Sequence, residues 1–367
     1  MPYRDEETSV FWIESNQELA DAVSTWEECV GLDTEFIRTD TFYPIPGLYQ
    51  VASGSEIFLL DPLSINNWQP FADFLENPDT VKVTHACQED LELINHHLGI
   101  KPARIFDTQF AHAFVGTDFS LSYANLVRQL LKVDVEKQET RSNWLQRPLT
   151  DEQIIYAAKD VLHLVPMYEA LCQALNESGR MAWFEQDMAV RGKYLEPDPS
   201  AYYVQVKKAW QLSQRELARL QALCRWRENS ARHHDLPRNR IVWDDHLMSL
   251  ALEAQAGKET LQRLLPRNVE KRYGQALLDA HAKGNQAPLP DLLAKPLTPG
   301  QTARVKALRA VAAEHASRLG FATELLARRK DVEQCLRSYQ ARAELSEHFQ
   351  GWRDGILGDQ FRQILAS

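Results

Sequence analysis

The sequence has few cysteines, and their spacing excludes two classes of small stabilised domain. The five cysteines stand singly at wide intervals, at Cys29, Cys87, Cys172, Cys224 and Cys335. Disulfide frameworks and structural zinc sites both need Cys or His residues in close, repeated pairs. We therefore interpret these residues as small buried hydrophobic side chains.

Long apolar runs are also missing. No stretch reaches the 18 or so apolar residues that a membrane-spanning helix needs, and the first seven residues, MPYRDEE, lack the basic start and apolar core of an export signal. We therefore expect a cytoplasmic protein with no membrane partner. No feature of the sequence requires an oligomer, so a monomer is the expected state.

Positive charge is scarce in the first half of the chain and abundant in the second. Residues 1–200 carry 14 Lys and Arg against 33 Asp and Glu, whereas residues 201–367 carry 27 against 18. The overall net charge of −10 conceals this division. One interpretation is a carboxylate-dependent site in the acidic half and a polyanion-binding surface in the basic half, and the alternative is a chance clustering of solvated charges.

Three domains are predicted. A chain of 367 residues is long enough for two or three, and proline-rich breaks lie at 195–200 and 284–300. Residues 1–200 alternate short apolar runs with amphipathic stretches, which indicates an α/β domain. Residues 201–290 and 291–367 are expected to be all-helical, and their apolar positions align at a spacing of 85 residues, as in an internal repeat.

The α/β pattern predicts five strands in a mixed sheet, because Gly54-Ser55 is typical of a tight hairpin turn. A helix is expected to begin after Thr150, which can cap it, with Gln153 at the third helical position. The predicted strands are Cys29–Ile37, Gly47–Ser53, Glu56–Asp61, Val81–His85 and Arg104–Asp107. The other predicted helices of this domain are Gln17–Glu28, Trp68–Leu75, Glu89–His97 and Leu121–Leu131.

Asp33 and Glu35 are the most informative residues of the sequence. They lie two residues apart in an apolar strand, so both side chains emerge on one face. Two buried like charges are costly unless something positive compensates them. A divalent cation held by oxygen ligands would do so, but a solvated sheet edge or neighbouring arginines would explain the pair as well.

Three further residues extend this acidic set. Asp90 falls in the first turn of a predicted helix, where the helix dipole alone would favour an acidic residue. Tyr156 and Asp160 lie four residues apart and therefore share one helix face, although a tyrosine at this spacing is more often a core residue.

The order Asp-x-Glu, Asp, Tyr-x-x-x-Asp resembles the tyrosine branch of the DEDD 3′→5′ exonucleases, and the surrounding residues resemble the ribonuclease D family. Ile155, not a histidine, stands five residues before Asp160, which favours the tyrosine branch. Asn143 departs from the aspartate that is usual in the family. The segments that carry the resemblance are 31–36, 85–91, 106–109, 147–150 and 156–161, with 226–227 and 236–241 resembling the helical HRDC domain.

The resemblance implies a ribonuclease H-like exonuclease domain, with a mixed five-stranded sheet flanked by helices, followed by two all-α HRDC-like domains. It implies a 3′→5′ exoribonuclease that releases nucleoside 5′-monophosphates, with trimming of precursor tRNA as the expected task. Asp33, Glu35, Asp90 and Asp160 would bind two divalent ions, Mg²⁺ or Mn²⁺. Asp33 would contact both ions, and Tyr156 would orient the attacking water.

Substrate contacts are expected from both halves of the chain. A DNA exonuclease and an inactive, RNA-binding adaptor remain as alternatives, since the sequence does not show contacts to a 2′-hydroxyl group. The residues predicted to contact RNA are His85, Gln88, Arg141, Trp144, Arg227, Arg238 and Arg240.

Overall fold

The computed structural model describes residues 4–5, 8–135 and 142–366. The chain forms two compact units. The first, which we call the α/β unit, comprises the described residues of 1–37, 46–194 and 297–367. The second, which we call the helical unit, comprises residues 38–45 and 195–296. No helix in the described part of the chain is both long and apolar enough to cross a membrane.

A mixed sheet of seven described strands forms the centre of the α/β unit, in the order β1-β2-β5-β4-β3-β6-β7. β2 is parallel to β5, β4 is antiparallel to β5, and β6 is parallel to both β3 and β7. Gly54, with φ of +57°, makes the predicted β4–β5 turn. The strands are β1 (Arg4–Asp5), β2 (Thr8–Ile13), β3 (Cys29–Ile37), β4 (Ile45–Ser53), β5 (Glu56–Leu60), β6 (Val81–Thr84) and β7 (Ile105–Asp107).

The sheet therefore has two strands more than the five predicted. β2 joins the sheet through parallel pairing in which Ser9 lies opposite Glu56 and Ile13 opposite Leu60. A parallel partner this far along the chain leaves no local turn signal in the sequence. β1 has only two residues and pairs with β2, so no periodic pattern could predict it.

Helices cover both faces of the sheet. Thr150 caps α6 as predicted, since its hydroxyl accepts the Gln153 N–H at 3.2 Å and the Gln153 side chain accepts the Thr150 N–H at 3.0 Å. The first eight helices are α1 (Asn16–Thr25), α2 (Gln69–Glu76), α3 (Gln88–Leu98), α4 (Thr108–Val115), α5 (Tyr123–Leu131), α6 (Asp151–Leu162), α7 (Leu164–Glu177) and α8 (Met181–Arg191).

The helical unit has a core of its own, built on five helices. It also includes residues 38–45, which follow β3. Phe42 of this segment is buried in the core, and the Asp235 carboxylate accepts the backbone N–H groups of Phe42 and Tyr43 at 2.9 Å each. The helices are α9 (Gln214–His233), α10 (Arg238–Ile241), α11 (Asp244–Leu252), α12 (Lys258–Leu264) and α13 (Arg267–Gln286).

The last helices of the chain belong to the α/β unit rather than to a separate compact unit. Trp352 stacks on Trp183 at 4.9 Å between ring centroids, and Arg353 forms an ion pair of 2.5 Å with Asp187. Phe349 and Phe361 lie in the same core cluster as the sheet. These helices are α14 (Pro299–Leu319), α15 (Thr323–Ala327), α16 (Arg329–Arg342) and α17 (Trp352–Ala366).

Four of the five helices of the helical unit have a counterpart among the last helices of the chain, and α12 has no α-helical counterpart among the described residues there. α14, α15, α16 and α17 begin 85 residues after α9, α10, α11 and α13, respectively. This is the spacing at which the apolar positions of the sequence align. The predicted internal repeat thus coincides with a repeated spacing of helices, and its second segment lies in the α/β unit.

Candidate active site

The site is built on the face of β3 that α6 and α7 cover. Gly31 lies under the junction of these two helices, where a Cβ atom would come within 2.9 Å of the Val161 carbonyl oxygen and 3.0 Å of the Leu164 Cβ. Because side chains alternate along a strand, Asp33 and Glu35 share this face with Gly31. The close approach at Gly31 thus brings α6 directly over the acidic pair.

Asp160, in the last turns of α6, completes a carboxylate cluster with Asp33 and Glu35. Each of the three residues offers an oxygen, and these oxygens all lie within 4.8 Å of one another. All three side chains are half-buried. The structure therefore brings together three of the four predicted ligands from two elements that are more than a hundred residues apart in the sequence.

Asp90 lies near this cluster but outside the group of converging oxygens. It is the third residue of α3 and is buried, and the Thr34 hydroxyl donates a hydrogen bond of 2.5 Å to its carboxylate. Thr34 stands between the two acidic residues of β3. Its role was missed in the sequence, where a threonine inside a strand has an ordinary structural explanation.

The carboxyl groups raise one another's pKa values. Burial, followed by the charges of Asp90, Asp160 and Glu35, raises the pKa of Asp33 well above its usual range. Burial and the charges of Asp160 and Asp90 raise the pKa of Glu35 to about 8. Burial also raises the pKa values of Asp90 and Asp160, each to about 7. Such shifts indicate a site that accumulates negative charge at a cost.

Tyr156 contacts this cluster through Asp160. Its phenol hydrogen-bonds the Asp160 carboxylate, and burial together with the Asp160 charge raises the Tyr156 pKa above its ordinary value. The phenol therefore keeps its proton at neutral pH. Trp144 packs against Tyr156 with the ring centroids 6.1 Å apart.

Asp107 fixes the turn that leads into α3. One of its carboxylate oxygens accepts the Ala86 N–H at 3.0 Å and the Phe110 N–H at 3.1 Å, while the other accepts the Arg191 side chain at 3.1 Å. Ala86 has φ of +63°, a conformation that costs a residue with a Cβ atom about 1 kcal/mol or more. Asp107 lay within a segment of family resemblance, but its role depends on this turn and was missed.

The predicted substrate contacts of the α/β unit are largely engaged by the protein. The ring nitrogens of His85 lie 2.9 Å from the Thr108 hydroxyl and 3.1 Å from the Leu121 carbonyl oxygen. The Gln88 amide donates to the Arg191 carbonyl at 2.8 Å, although the residue is exposed. Trp144 is buried beside Tyr156. Arg141 lies outside the described residues.

Of the arginines predicted to contact RNA, Arg227 is inaccessible. It is 1% exposed and donates to the Val242 carbonyl oxygen at 3.1 Å and to Asp244 at 2.5 Å. Its guanidinium group is therefore unavailable to a phosphate, which corrects the expectation from its charge alone.

The other two arginines of the helical unit are more accessible. Arg238 donates to both Glu228 carboxylate oxygens at 2.8 Å and lies over the Phe42 ring. Arg240 is exposed and pairs with Asp40 at 3.1 Å. An exposed pair of this kind contributes little to stability, so Arg240 can exchange partners.

Comparison with known proteins places this geometry in a family. The family model described as 3′-5′ exonuclease matches residues 10–176, and that of the HRDC domain matches residues 216–280. Ribonuclease D of Pseudomonas paraeruginosa (strain DSM 24068 / PA7) is 41% identical over 368 residues, covering 97% of each chain. The chain belongs to the ribonuclease D family. The enzyme class predicted from the sequence, a 3′→5′ exoribonuclease, is thereby confirmed.

Other members of the ribonuclease D family agree in sequence and in fold. The Escherichia coli (strain K12) protein is 33% identical over 347 residues, covering 92% of each chain. The crystal structure of E. coli RNase D, described as an exoribonuclease involved in structured RNA processing, superposes with a TM-score of 0.87 over 97% of this chain and 98% of that one. The predicted ribonuclease H-like fold with a following HRDC domain is confirmed.

The acidic cluster fits the divalent metal ions that this exonuclease fold implies. Carboxylate oxygens are the ligands that Mg²⁺ and Mn²⁺ prefer, and the mutual repulsion of the four carboxylates is what a divalent cation would relieve. Within the described ranges, this cluster is the only group of three or more acidic, His or Cys residues with such converging atoms.

Proposed function

We propose that this chain is a two-metal 3′→5′ exoribonuclease that releases nucleoside 5′-monophosphates and trims the 3′ ends of precursor tRNA and other structured RNA. The convergence of Asp33, Glu35 and Asp160 to within 4.8 Å carries the metal-dependent part of the proposal. Membership of the ribonuclease D family, and the description of its E. coli member as acting on structured RNA, support the choice of substrate.

The proposed ligand set divides into two groups. Asp33, Glu35 and Asp160 would hold one divalent ion, and Asp33 would share a second, Mg²⁺ or Mn²⁺, with Asp90 directly or through water. Bound there, such ions supply activation of water and stabilisation of the leaving oxygen. Four carboxylates would offset most of the charge of two divalent cations.

Tyr156 is proposed to orient the attacking water. Its phenol remains protonated at neutral pH, because burial and the Asp160 charge raise its pKa. A protonated phenol is a hydrogen-bonding group rather than a base. The hydrogen bond to Asp160 fixes the phenol oxygen beside the ligand cluster, where it can hold a water molecule in line with the scissile phosphate.

The test compares Asp33→Asn with Glu89→Gln. Asp33→Asn keeps the shape of the side chain but removes a metal ligand, so the rate of mononucleotide release from a 5′-labelled RNA should fall by more than about 100-fold, the usual loss when one group that stabilises transition-state charge is removed. Glu89 is an exposed neighbour of Asp90, and its neutralisation should change the rate by less than about twofold. Full Mg²⁺-dependent activity of Asp33→Asn would refute the catalytic assignment.

The alternatives make different predictions in the same assay. Matched RNA and DNA oligomers with free 3′ ends should be degraded at different rates, with RNA the faster. Equal rates would refute the RNA assignment, and faster degradation of the DNA oligomer would favour a DNA exonuclease. An inactive adaptor would bind RNA but release no mononucleotide with either Mg²⁺ or Mn²⁺.

A further inference from the structure

The helical unit presents one tryptophan to solvent. Trp243 immediately precedes α11 and is 58% exposed, although tryptophan is among the side chains that gain most from burial. Among the described residues, its ring has no aromatic or cationic partner. A single exposed apolar side chain is common on protein surfaces, so the significance of this indole depends on how it is held and on what surrounds it.

The backbone on both sides of Trp243 is held rigidly by one buried side chain. The same Arg227 nitrogen donates to the carbonyl oxygen of Val242 at 3.1 Å and to the Asp244 carboxylate at 2.5 Å. These are the residues before and after Trp243. Because Arg227 is itself buried, it anchors the two neighbours to the interior while the indole between them points outward.

Anchoring of the backbone lowers the entropic cost of binding. The backbone position of Trp243 is set before the ligand arrives, so only the side-chain rotamers of the indole remain to be ordered on association. A flat, exposed aromatic face held in this way is suited to stacking on another flat ring, such as a nucleobase.

The helical unit as a whole carries a net positive charge. Its residues, 38–45 and 195–296, include 17 Lys and Arg against 13 Asp and Glu, although Asp244 and Asp245 directly follow the indole. Arg240, three residues before Trp243, has two-thirds of its side chain exposed. An aromatic face near an exposed guanidinium group, in a basic unit, matches the base and the phosphate of a nucleotide better than it matches an apolar protein surface.

We propose that Trp243 is a stacking platform for one nucleobase of a single-stranded stretch of RNA, and that Arg227 is its positioning residue. The proposal rests on the RNA substrate proposed above and adds the contact that the helical unit makes with it. It also gives Arg227, which cannot contact RNA itself, a role in RNA binding.

The test separates stacking from simple hydrophobic contact. Binding of fluorescein-labelled oligoadenylate to the full chain is measured by anisotropy in EDTA, so that no hydrolysis occurs. Trp243→Leu, which keeps apolar area but loses the aromatic face, should weaken binding by about 5- to 100-fold. Trp243→Phe, which keeps an aromatic face, should cause a loss of affinity less than half as large on a logarithmic scale.

Leu252→Ala is the matched control, because Leu252 lies in the same unit and is 52% exposed. Its substitution should leave the affinity unchanged. Unchanged affinity of Trp243→Leu would overturn the proposal and would direct the search towards a protein partner. An equal loss in Trp243→Leu and Leu252→Ala would also overturn it, since that result would show a general effect on the unit.

The role of Arg227 is tested through Asp244→Asn, which keeps the side-chain shape and weakens the anchor. We expect a smaller loss of affinity than in Trp243→Leu, and no further loss when both changes are combined, because both act through the same indole. Additive losses would overturn the positioning role. Failure of the proposed function is separately visible: the wild-type chain would then release no mononucleotide with Mg²⁺ or Mn²⁺, whatever its affinity in EDTA.

Discussion

At the scale of single residues, the dominant feature is the cost of gathering carboxylates in one place. Asp33 is central to this cost, because it is buried among the charges of Asp90, Asp160 and Glu35 and its pKa is raised well above the usual range. The fold retains these groups despite their repulsion. The proposed binding of divalent cations would explain their presence, and two predictions at the scale of residues follow.

The first prediction is a dependence of stability on pH. The pKa values of Asp90 and Asp160 are raised to about 7 and that of Glu35 to about 8, whereas in the unfolded chain they return to about 4. The folded protein therefore binds more protons than the unfolded one between these limits. The contribution of these protonated carboxyl groups to the free energy of unfolding is fully present below about pH 4 and is lost as the pH rises through 7 and 8.

We therefore expect the unfolding temperature, measured by circular dichroism in EDTA, to fall between pH 6 and pH 9. The unfolding temperature of Asp33→Asn should fall less over the same range, because one repelling charge has been removed. With Mn²⁺ present the fall should be reduced or reversed, since metal binding replaces protons and tightens as the pH rises. Identical pH profiles for wild type and Asp33→Asn in EDTA would contradict this account.

The second prediction concerns Asp107, which holds Ala86 in its left-handed conformation ahead of α3. Asp107→Ala removes this hydrogen bond, so α3 and Asp90 should lose their fixed position. We expect the affinity for Mn²⁺, measured by calorimetry, to fall by about 10-fold, the lower end of the range for residues that support metal ligands.

A second change at the same turn provides the control. Glycine adopts a positive φ without strain, so Ala86→Gly should recover part of the lost Mn²⁺ affinity in the Asp107→Ala background. Alone, Ala86→Gly should leave the affinity close to that of wild type. If the double variant binds no better than Asp107→Ala, strain at Ala86 is not the reason for the Asp107 contact.

At the scale of elements, the site depends on how closely α6 and α7 approach β3. Asp160 is the residue directly before Val161, and the Val161 carbonyl oxygen lies only 2.9 Å from where a Cβ atom at position 31 would be. A glycine at this point lets the helix approach the strand more closely than a residue with a Cβ atom would allow. The distance between Asp160 and the pair on β3 is set by this contact.

Gly31→Ala should therefore move Asp160, on α6, away from Asp33 and Glu35 on β3. The new methyl group would stand 2.9 Å from the Val161 carbonyl oxygen, so the helix junction must move. We expect a loss of about 1–3 kcal/mol in the free energy of unfolding, as for overpacked cores. Activity at saturating Mn²⁺ should fall by up to about 100-fold, since misplacement of a reacting group by 1 Å can have that effect.

Gly355→Ala is the matched control. Position 355 lies in α17, where no atom comes within 4 Å of an added Cβ atom. Alanine there should raise the free energy of unfolding by up to about 1 kcal/mol, because it favours a helix over glycine, and activity should be unchanged. Equal activity of the two alanine variants would show that the helix–strand distance does not limit the reaction.

At the scale of the whole molecule, the two helical segments have different places in the fold. Residues 297–366 share the core of the α/β unit, whereas residues 195–296 form the helical unit with residues 38–45. Deletion of residues 201–367 would consequently expose the core beside Trp183 and Phe114 as well as remove the helical unit. It is therefore not a clean test of RNA binding by the basic half of the chain.

The contribution of the last helices can be measured with a single ion pair. Arg353 and Asp187 have side chains 8% and 13% exposed, at a distance of 2.5 Å. Arg353→Met would leave the Asp187 carboxylate buried without this partner. We expect a loss of about 3 kcal/mol in the free energy of unfolding, measured with urea, because an uncompensated buried charge is costly.

Arg362→Met provides the comparison on the same helix. Arg362 pairs with Asp354 at 2.6 Å, but both side chains are more than 40% exposed. An exposed pair of this kind contributes less than about 1 kcal/mol. Similar losses in the two variants would mean that α17 is held to the α/β unit by other contacts.

The sequence by itself determined the chemistry of this protein. The Asp33 and Glu35 pair, the capped helix that begins after Thr150, and the Tyr156–Asp160 spacing are all local patterns, which strand and helix periodicity convert directly into shared faces. The family resemblance rested on the same residues. Local periodicity was therefore sufficient for the α/β pattern and for the shared faces of the acidic residues, whereas the enzyme class and the full set of candidate ligands came from the family resemblance.

Only the tertiary structure decided which residues meet and which are accessible. The parallel pairing of β2 with β5, the hydrogen bond of Asp107 to Ala86 and the place of residues 297–366 all join segments that are distant along the chain. Burial of Arg227 and exposure of Trp243 follow from packing that neither residue type predicts. Contacts of this kind are non-local, and a local pattern in one sequence carries no record of them.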